Sequence, residues 1–385
     1  MRSTIPLLVG TGLALAMAPL PAASAAAESD QASALEGLAL RGRAQFDALV
    51  ANNDEGSTIT GGEVRRFYLG VEGDLSDEVA YVVEADFSGP EVSLQDVTLA
   101  YQATPSLELV GGHFKPPVTN EDLTSDTQTL FLERSTFAGA FAPGRRVGLA
   151  ANYARERWGL QAGAFGEADG HDLDGERGES RLVALRAYGD LLPGEAALHV
   201  GASAYALEMD NHDPTVSLSQ RPETGRAPTA VDTGDFVADA ARFVGLEAGY
   251  GRGPLTIQIE GGAINFDGPT TSPQFAGWSG QVAWRWTGEA RPYDIGSGTF
   301  GRVRPDRPWG QGGFGAVETG LRVSRLDLDD GAITGGEMTT YGAVINWLPV
   351  TRLRLSANLI QARIEDAGPG VTDETLLTLR TAIDW

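Results

Sequence analysis

From Leu38 to Trp385 apolar and polar residues alternate with a period of two, in segments of about ten residues separated by turn-rich stretches. A period of two places successive side chains on opposite faces of an extended strand. In the first segment Leu38, Leu40, Ala44, Phe46, Ala48 and Val50 share one face, and Arg41, Arg43, Gln45 and Asp47 share the other. In the last, Thr375, Leu377, Leu379, Ile383 and Trp385 oppose Thr378, Arg380 and Asp384. The pattern predicts fourteen strands between them, near 62–73, 79–87, 92–101, 106–114, 146–153, 158–166, 181–188, 196–206, 242–250, 255–262, 275–287, 315–326, 338–348 and 353–363. Repeated alternation of this length is the signature of a transmembrane β-barrel, with an apolar lipid face and a polar lumen.

A secreted β-sandwich or β-helix also alternates, and connection lengths separate these architectures. Short connections at 74–78, 103–106, 154–157, 189–195, 251–254 and 349–352 occupy every second slot. The opposite slots hold the longer stretches 115–145, 167–180, 207–241 and 327–337. Tight periplasmic turns and long extracellular loops alternate in this way. One turn slot, 288–313, is unexpectedly long. Sixteen strands put both ends of the barrel on the periplasmic side, with the chain closing on aromatic Trp385. In lipid the sheet must close, because each unpaired edge amide there costs several kcal/mol. The expectation is an all-β fold, a sixteen-stranded antiparallel transmembrane β-barrel.

Residues 1–27 read as a secretory signal peptide and 28–385 as the barrel. Arg2 supplies the positive start, and residues 5–20 are almost wholly apolar. The small-residue patterns Ala23-Ser24-Ala25 and Ala25-Ala26-Ala27 follow. The apolar run falls short of the ~20 residues a spanning helix needs. The expected location is therefore the outer membrane of a Gram-negative bacterium. The chain has no cysteine, so disulfides, thiolate metal sites and cysteine nucleophiles are excluded. A net charge of −23 and a pI near 4.5 argue against a nucleic-acid partner. Much of the acidity sits in two expected loops, 167–180 and 207–241, which hold thirteen acids and three arginines. Lys115 is the only lysine.

Six stretches resemble the phosphate-selective porin O/P family of outer-membrane proteins. They are Arg65-Arg66-Phe-Tyr-Leu-Gly-Val-Glu-Gly73, Gly112-His-Phe-Lys-Pro116, Leu130-Phe-Leu-Glu-Arg-Ser135, Ala142-Pro-Gly-Arg-Arg146, Thr287-Gly-Glu-Ala-Arg-Pro-Tyr293 and Arg302-Val-Arg-Pro-Asp-Arg-Pro308. They follow the family's order from about residue 60 onward. The resemblance implies a sixteen-stranded homotrimer with two extracellular loops and one periplasmic segment folded inward. Those segments would be 115–145, 207–241 and 288–313, which gives the long turn a purpose. It also implies passive diffusion of small hydrophilic solutes and inorganic anions such as phosphate, with outer-membrane lipid around the barrel and no cofactor.

Parity assigns Arg41, Arg43, Arg66, Arg146, Arg322, Arg354 and Arg380 to the lumen face. Arginine suits oxyanions because its planar fork bonds two oxygens and keeps its charge. Within the resemblance Lys115 and Arg134 are the first candidates for the constriction, and Arg302, Arg304 and Arg307 the second. The same parity supplies Asp47, Glu72, Glu84, Asp86, Asp96, Glu247, Glu260, Glu318 and Asp384 as lumen acids, so the arginines could equally pair with them.

Other patterns are weaker. Gly310-Gln-Gly312-Gly313-Phe-Gly315 mimics a dinucleotide fingerprint but precedes a strand rather than a helix. Asp172-Leu-Asp174-Gly-Glu176 and Asp327-Leu-Asp329-Asp330-Gly331 miss EF-hand spacing and read as solvated loop tips, with loose divalent binding from outside as the alternative. His113, His171, His199 and His212 are scattered, so no dedicated metal site is expected. A barrel-based hydrolase would need a nucleophile and base at the extracellular rim, for which His171, Asp172, His212 and Asp213 are available. A non-conducting adhesin or structural barrel is the third class.

Overall fold

The computed structural model describes residues 38–53, 58–166, 179–192, 194–210, 215–365 and 371–385. The signal segment expected at 1–27 lies outside the described residues, as do His171, Asp172, His212 and Asp213. Sixteen strands form one closed antiparallel barrel, each hydrogen-bonded to its neighbours in sequence order. The first strand, Ala39–Asn53, pairs with the last, Val371–Asp384, in a register running from Arg43↔Asp384 to Asn53↔Glu374. Gly42 and Trp385 exchange backbone hydrogen bonds at this seam, at 3.2 and 3.1 Å. The indole lies so close over Gly42 that an added Cβ would sit 2.5 Å from its ring. No helix among the described residues is long and apolar enough to cross a membrane.

Each expected segment is a strand, but one expected loop is not a loop. Residues 327–337 belong to two tall strands, Ala316–Asp330 and Ile333–Val350, joined by a turn at Gly331 and Ala332. Their acidic and glycine-rich tops looked like loop composition because they stand clear of the apolar band. Wall height varies around the ring. Val79–Asp86, Leu107–Phe114 and Trp158–Phe165 have 8 residues each, whereas the two tall strands have 15 and 18.

The lumen is not uniformly polar. On the strand Ala240–Arg252, Val244 and Leu246 face outward at 60% and 68% exposure, while inward Phe243 is fully buried. Phe243 packs with Phe137 and Phe141 of a short helix, Thr136–Phe141, carried by the inward-folded segment 115–145. Val216, Leu218 and Val231 of the segment between strands Ala197–Asp210 and Ala240–Arg252 join the same apolar cluster. Each such side chain removed from water contributes about 1.5–3 kcal/mol. One side of the barrel is therefore filled with protein.

Candidate functional site

Local sequence explains how segment 115–145 enters the lumen. Gly112, two residues before the end of the strand Leu107–Phe114, has φ +137, a conformation glycine adopts readily, and a Cβ there would strike the Val97 carbonyl at 2.0 Å. Thr119 caps the helix Asn120–Leu123 by accepting from the Asp122 amide, and Ser135 caps Thr136–Phe141 by accepting from the Ala138 amide. The Ser135 hydroxyl also donates to Glu121 at 2.5 Å.

Two polar cavities flank this segment on the side facing strands 39–114. The outer one, about 370 Å³, lies between it and the 219–229 stretch and is lined by Arg65, Arg66, Glu133, Arg134, Arg221 and Glu223, among others. The inner one, about 180 Å³, is lined by Arg41, Arg43, Arg66, Tyr68, Asp96, Lys115, Asp122, Asp126, Arg134 and Arg145, among others. Arg66 and Arg134 line both, so they stand at the narrows between them. The inner cavity carries six cations and three carboxylates.

At its centre Lys115 Nζ donates to the Asp122 carboxylate and to the Asp122 carbonyl, each at 2.7 Å. Arg134 shares that carboxylate at 3.2 Å and donates to the carbonyls of Glu121, Asp122 and Thr124. Arg145 pairs with Asp96 at 2.8 Å. Burial, with the Arg134 and Arg145 guanidinium groups nearby, pushes the Lys115 ammonium down to about 8, against the opposing pull of Asp122. The same cations hold Asp122 below the usual carboxylate range despite its burial.

A β-bulge feeds this wall. Gln45 pairs with Arg66 and Phe46 with Val64, leaving Arg65 as the extra residue. Both arginines thereby turn inward onto Glu133, Arg65 at 2.8 Å and Arg66 at 3.2 Å. Glu84 takes Arg41 at 3.1 Å and Arg43 at 3.3 Å, and Asp126 takes Arg43 and Arg66.

A family model for phosphate-selective porin O and P matches residues 38–385. The chain belongs to that family. An uncharacterized protein of Caulobacter vibrioides is 33% identical over 310 residues, covering 77% of this chain. The chain spans 62% of that relative's length. Solved structures show the same fold at low identity. An anion-selective porin from Comamonas acidovorans aligns with a TM-score of 0.60 at 13% identity, over 90% of this chain and 99% of its own. Pseudomonas putida OprB gives 0.59 at 11%, over 93% and 97%. The trimer form of OmpT, an outer membrane protein of Vibrio cholerae, gives 0.56 at 12%, over 91% and 100%. The place of this porin-family barrel is the Gram-negative outer membrane.

Within this member of the porin family, five sequence-predicted cations meet around the inner cavity: Lys115, Arg134, Arg41, Arg43 and Arg66. Arg41, Arg43, Lys115 and Arg134 keep between 12% and 26% side-chain exposure. The others lie elsewhere. Arg322 and Arg380, at 1% and 0%, are buried anchors. Arg322 ties Glu121 at 2.5 Å and Glu223 at 3.2 Å to the far wall over the Phe131 ring. Arg380 grips Asp47 through Nε and Nη2, and Glu133 at 2.6 Å. Arg354 donates to the Thr129 and Asp126 carbonyls. Arg146 donates to Ser180 Oγ and the Gly166 carbonyl. Arg302 binds Asp384 at 2.8 Å, while Arg304 and Arg307 are exposed.

Sequence reasoning missed Arg65, Arg145, Arg186 and Arg291. Arg186 pairs with Glu247 at 2.7 Å and donates to the Ser297 and Gly298 carbonyls, pinning the long periplasmic segment inside the barrel. Arg291, on that segment, pairs with Glu318 at 3.1 Å. The Asp327–Asp330 pattern does gain a third carboxylate, since Glu337 lies across the hairpin within 4.8 Å of Asp327 and Asp329. Glu337 there pairs with Arg325.

Proposed function

We propose that this porin is a passive diffusion channel that favours small inorganic anions, phosphate among them, along an off-centre passage beside strands 39–114. The observation that carries this reading is the inner cavity, where six cations face three carboxylates. Fixed charges at a narrow point set ion preference, because a permeating ion trades hydration for them. Lys115, Arg134 and Arg145 form the face an anion meets, and Arg66 lies at its outer edge. Their carboxylate partners keep the site from being a deep trap, so an anion exchanges one set of partners for another and leaves. The Comamonas acidovorans porin that shares this fold is anion-selective, which agrees with this preference. The trimer form of the Vibrio protein supports three copies of this chain per assembly.

The test is the reversal potential of single channels in planar bilayers under asymmetric potassium chloride, followed by added phosphate. An anion-side potential with phosphate block of the chloride current supports the proposal. A cation-side potential in the wild type sinks it. Absence of any stepwise current favours the non-conducting barrel instead.

A further inference from the structure

The passage does not use the end of the long periplasmic segment. Its chain leaves the lumen after Val303, which is buried with Ala316 and Leu348. It then turns along the barrel rim, where the Trp309 amide donates to the Pro349 carbonyl at 2.8 Å and the Gly315 amide to the Arg307 carbonyl at 2.9 Å. This turn sets Phe314 flat on Trp347, with ring centroids 5.0 Å apart, and Trp309 beside it at 5.9 Å. Trp347 Nε1 donates to the Phe314 carbonyl at 2.8 Å, so the ledge is fixed rather than merely apposed. Trp347 has outward parity, since Tyr341 and Ile345 are exposed and Asn346 is buried inside. Yet Trp309 and Phe314 remain 60% and 61% exposed.

Directly above the ledge, the outward residues Thr319, Ala343 and Ala357 are small and lie between Trp284, Leu321 and Leu359. The result is an apolar groove of about 570 Å³ on the outer wall. On the aqueous side Arg307 is exposed on the same turn as Trp309, with Arg304 and Asp306 exposed before it. Apolar groove, aromatic ledge and guanidinium follow one another from membrane to water. Acyl chain, interfacial glycerol and phosphodiester follow one another in the same order in a lipid, and aromatic side chains prefer that interface.

We propose that this surface seats one glycerophospholipid of the periplasmic leaflet, its acyl chain in the Ala343–Ala357 groove and its phosphate near Arg307. The wall here is continuous with the lipid face of the barrel, and the cation on the aqueous side complements a phosphodiester. The segment that enters the lumen at Gly298 would thus be tethered at its other end to the membrane.

The experiment is native mass spectrometry of the full assembly extracted in mild detergent, with phosphatidylglycerol as the added probe. The wild type should carry phospholipid mass, and both Ala357→Phe, which fills the groove, and Trp309→Ser should lower occupancy about tenfold. Heat-modifiable gel migration reports that each variant still forms a barrel, and Ala357→Phe stands alone if Trp309→Ser does not fold. Equal lipid occupancy in the wild type and Ala357→Phe overturns the proposal. Displacement of the lipid by millimolar inorganic phosphate also overturns it, in favour of a free-phosphate site. A variant that loses subunits rather than lipid overturns it as well, by making the groove a contact between copies.

Discussion

The side-chain amide of Asn120 donates to the main-chain carbonyl of Gly298 at 2.7 Å, joining a segment that enters from the extracellular side to one that enters from the periplasm. The contact lies inside the barrel, and Gln258 on the wall completes it by donating to Asn120 Oδ1 at 3.2 Å. Two independent insertions therefore brace each other as well as the wall.

Asn120→Ala removes both bonds and leaves the Gly298 carbonyl to the Arg186 guanidinium. A loss of about 1–3 kcal/mol is expected. Single-channel traces should become noisier, and the urea midpoint of the folded barrel should fall.

The depressed pKa of Lys115 makes anion preference pH-dependent. Below about 8 the ammonium is charged and contributes to the cationic face; above it the lysine is neutral and one positive charge is lost. The anion-to-cation permeability ratio should fall between about pH 6.5 and about pH 9.5. Lys115→Arg should flatten that dependence, and Lys115→Glu should move the reversal potential toward cations at all pH values. A Lys115→Glu channel with wild-type permeability would remove this residue from the filter.

Glu133 accepts from Arg65, Arg66 and Arg380 at 2.8, 3.2 and 2.6 Å. Glu133→Gln should cost about 3–5 kcal/mol, because it leaves buried guanidinium groups without their shared counter-charge. The channels that do fold should be more anion-preferring, as read from reversal potentials, since the outer cavity loses one of its acids.

Phe137→Ala opens a void in the lumenal cluster against Phe141 and Phe243, at a cost of about 3–5 kcal/mol. The transition temperature by circular dichroism should drop while ion preference is retained.

Arg146→Ala should leave ion preference alone, unlike Lys115→Glu. Its guanidinium holds Ser180 and Gly166 and lines neither cavity, so stability should fall with an unchanged permeability ratio. A shifted ratio would return it to the passage.

The strands were readable because lipid imposes one rule on every outward side chain, from Leu38 to Ile383. The lumen obeys no such single rule. Where it is packed with inserted chain it is apolar, which hid Arg186 among inward-facing Leu182, Ala184 and Tyr188, all buried. Arg65 was hidden for a different reason, since the bulge opposite Gln45 and Phe46 breaks the parity that would have revealed it. Lys115 and Arg134 were picked out by a resemblance, and their convergence on Asp122 depends on a loop with no periodicity to read. Residues 327–337 failed by composition, since strand tops above the membrane look like loops.

The filled side of the barrel has an electrical consequence. A sixteen-stranded circumference suggests a wide conductor, but access resistance depends on the open cross-section and not on the number of staves around it. With Phe137, Phe141 and Phe243 occupying one flank, the remaining bore hugs the opposite arc. Unit currents should therefore be small for a barrel of this girth, and they should rise when the internal packing is thinned rather than when the rim loops are trimmed.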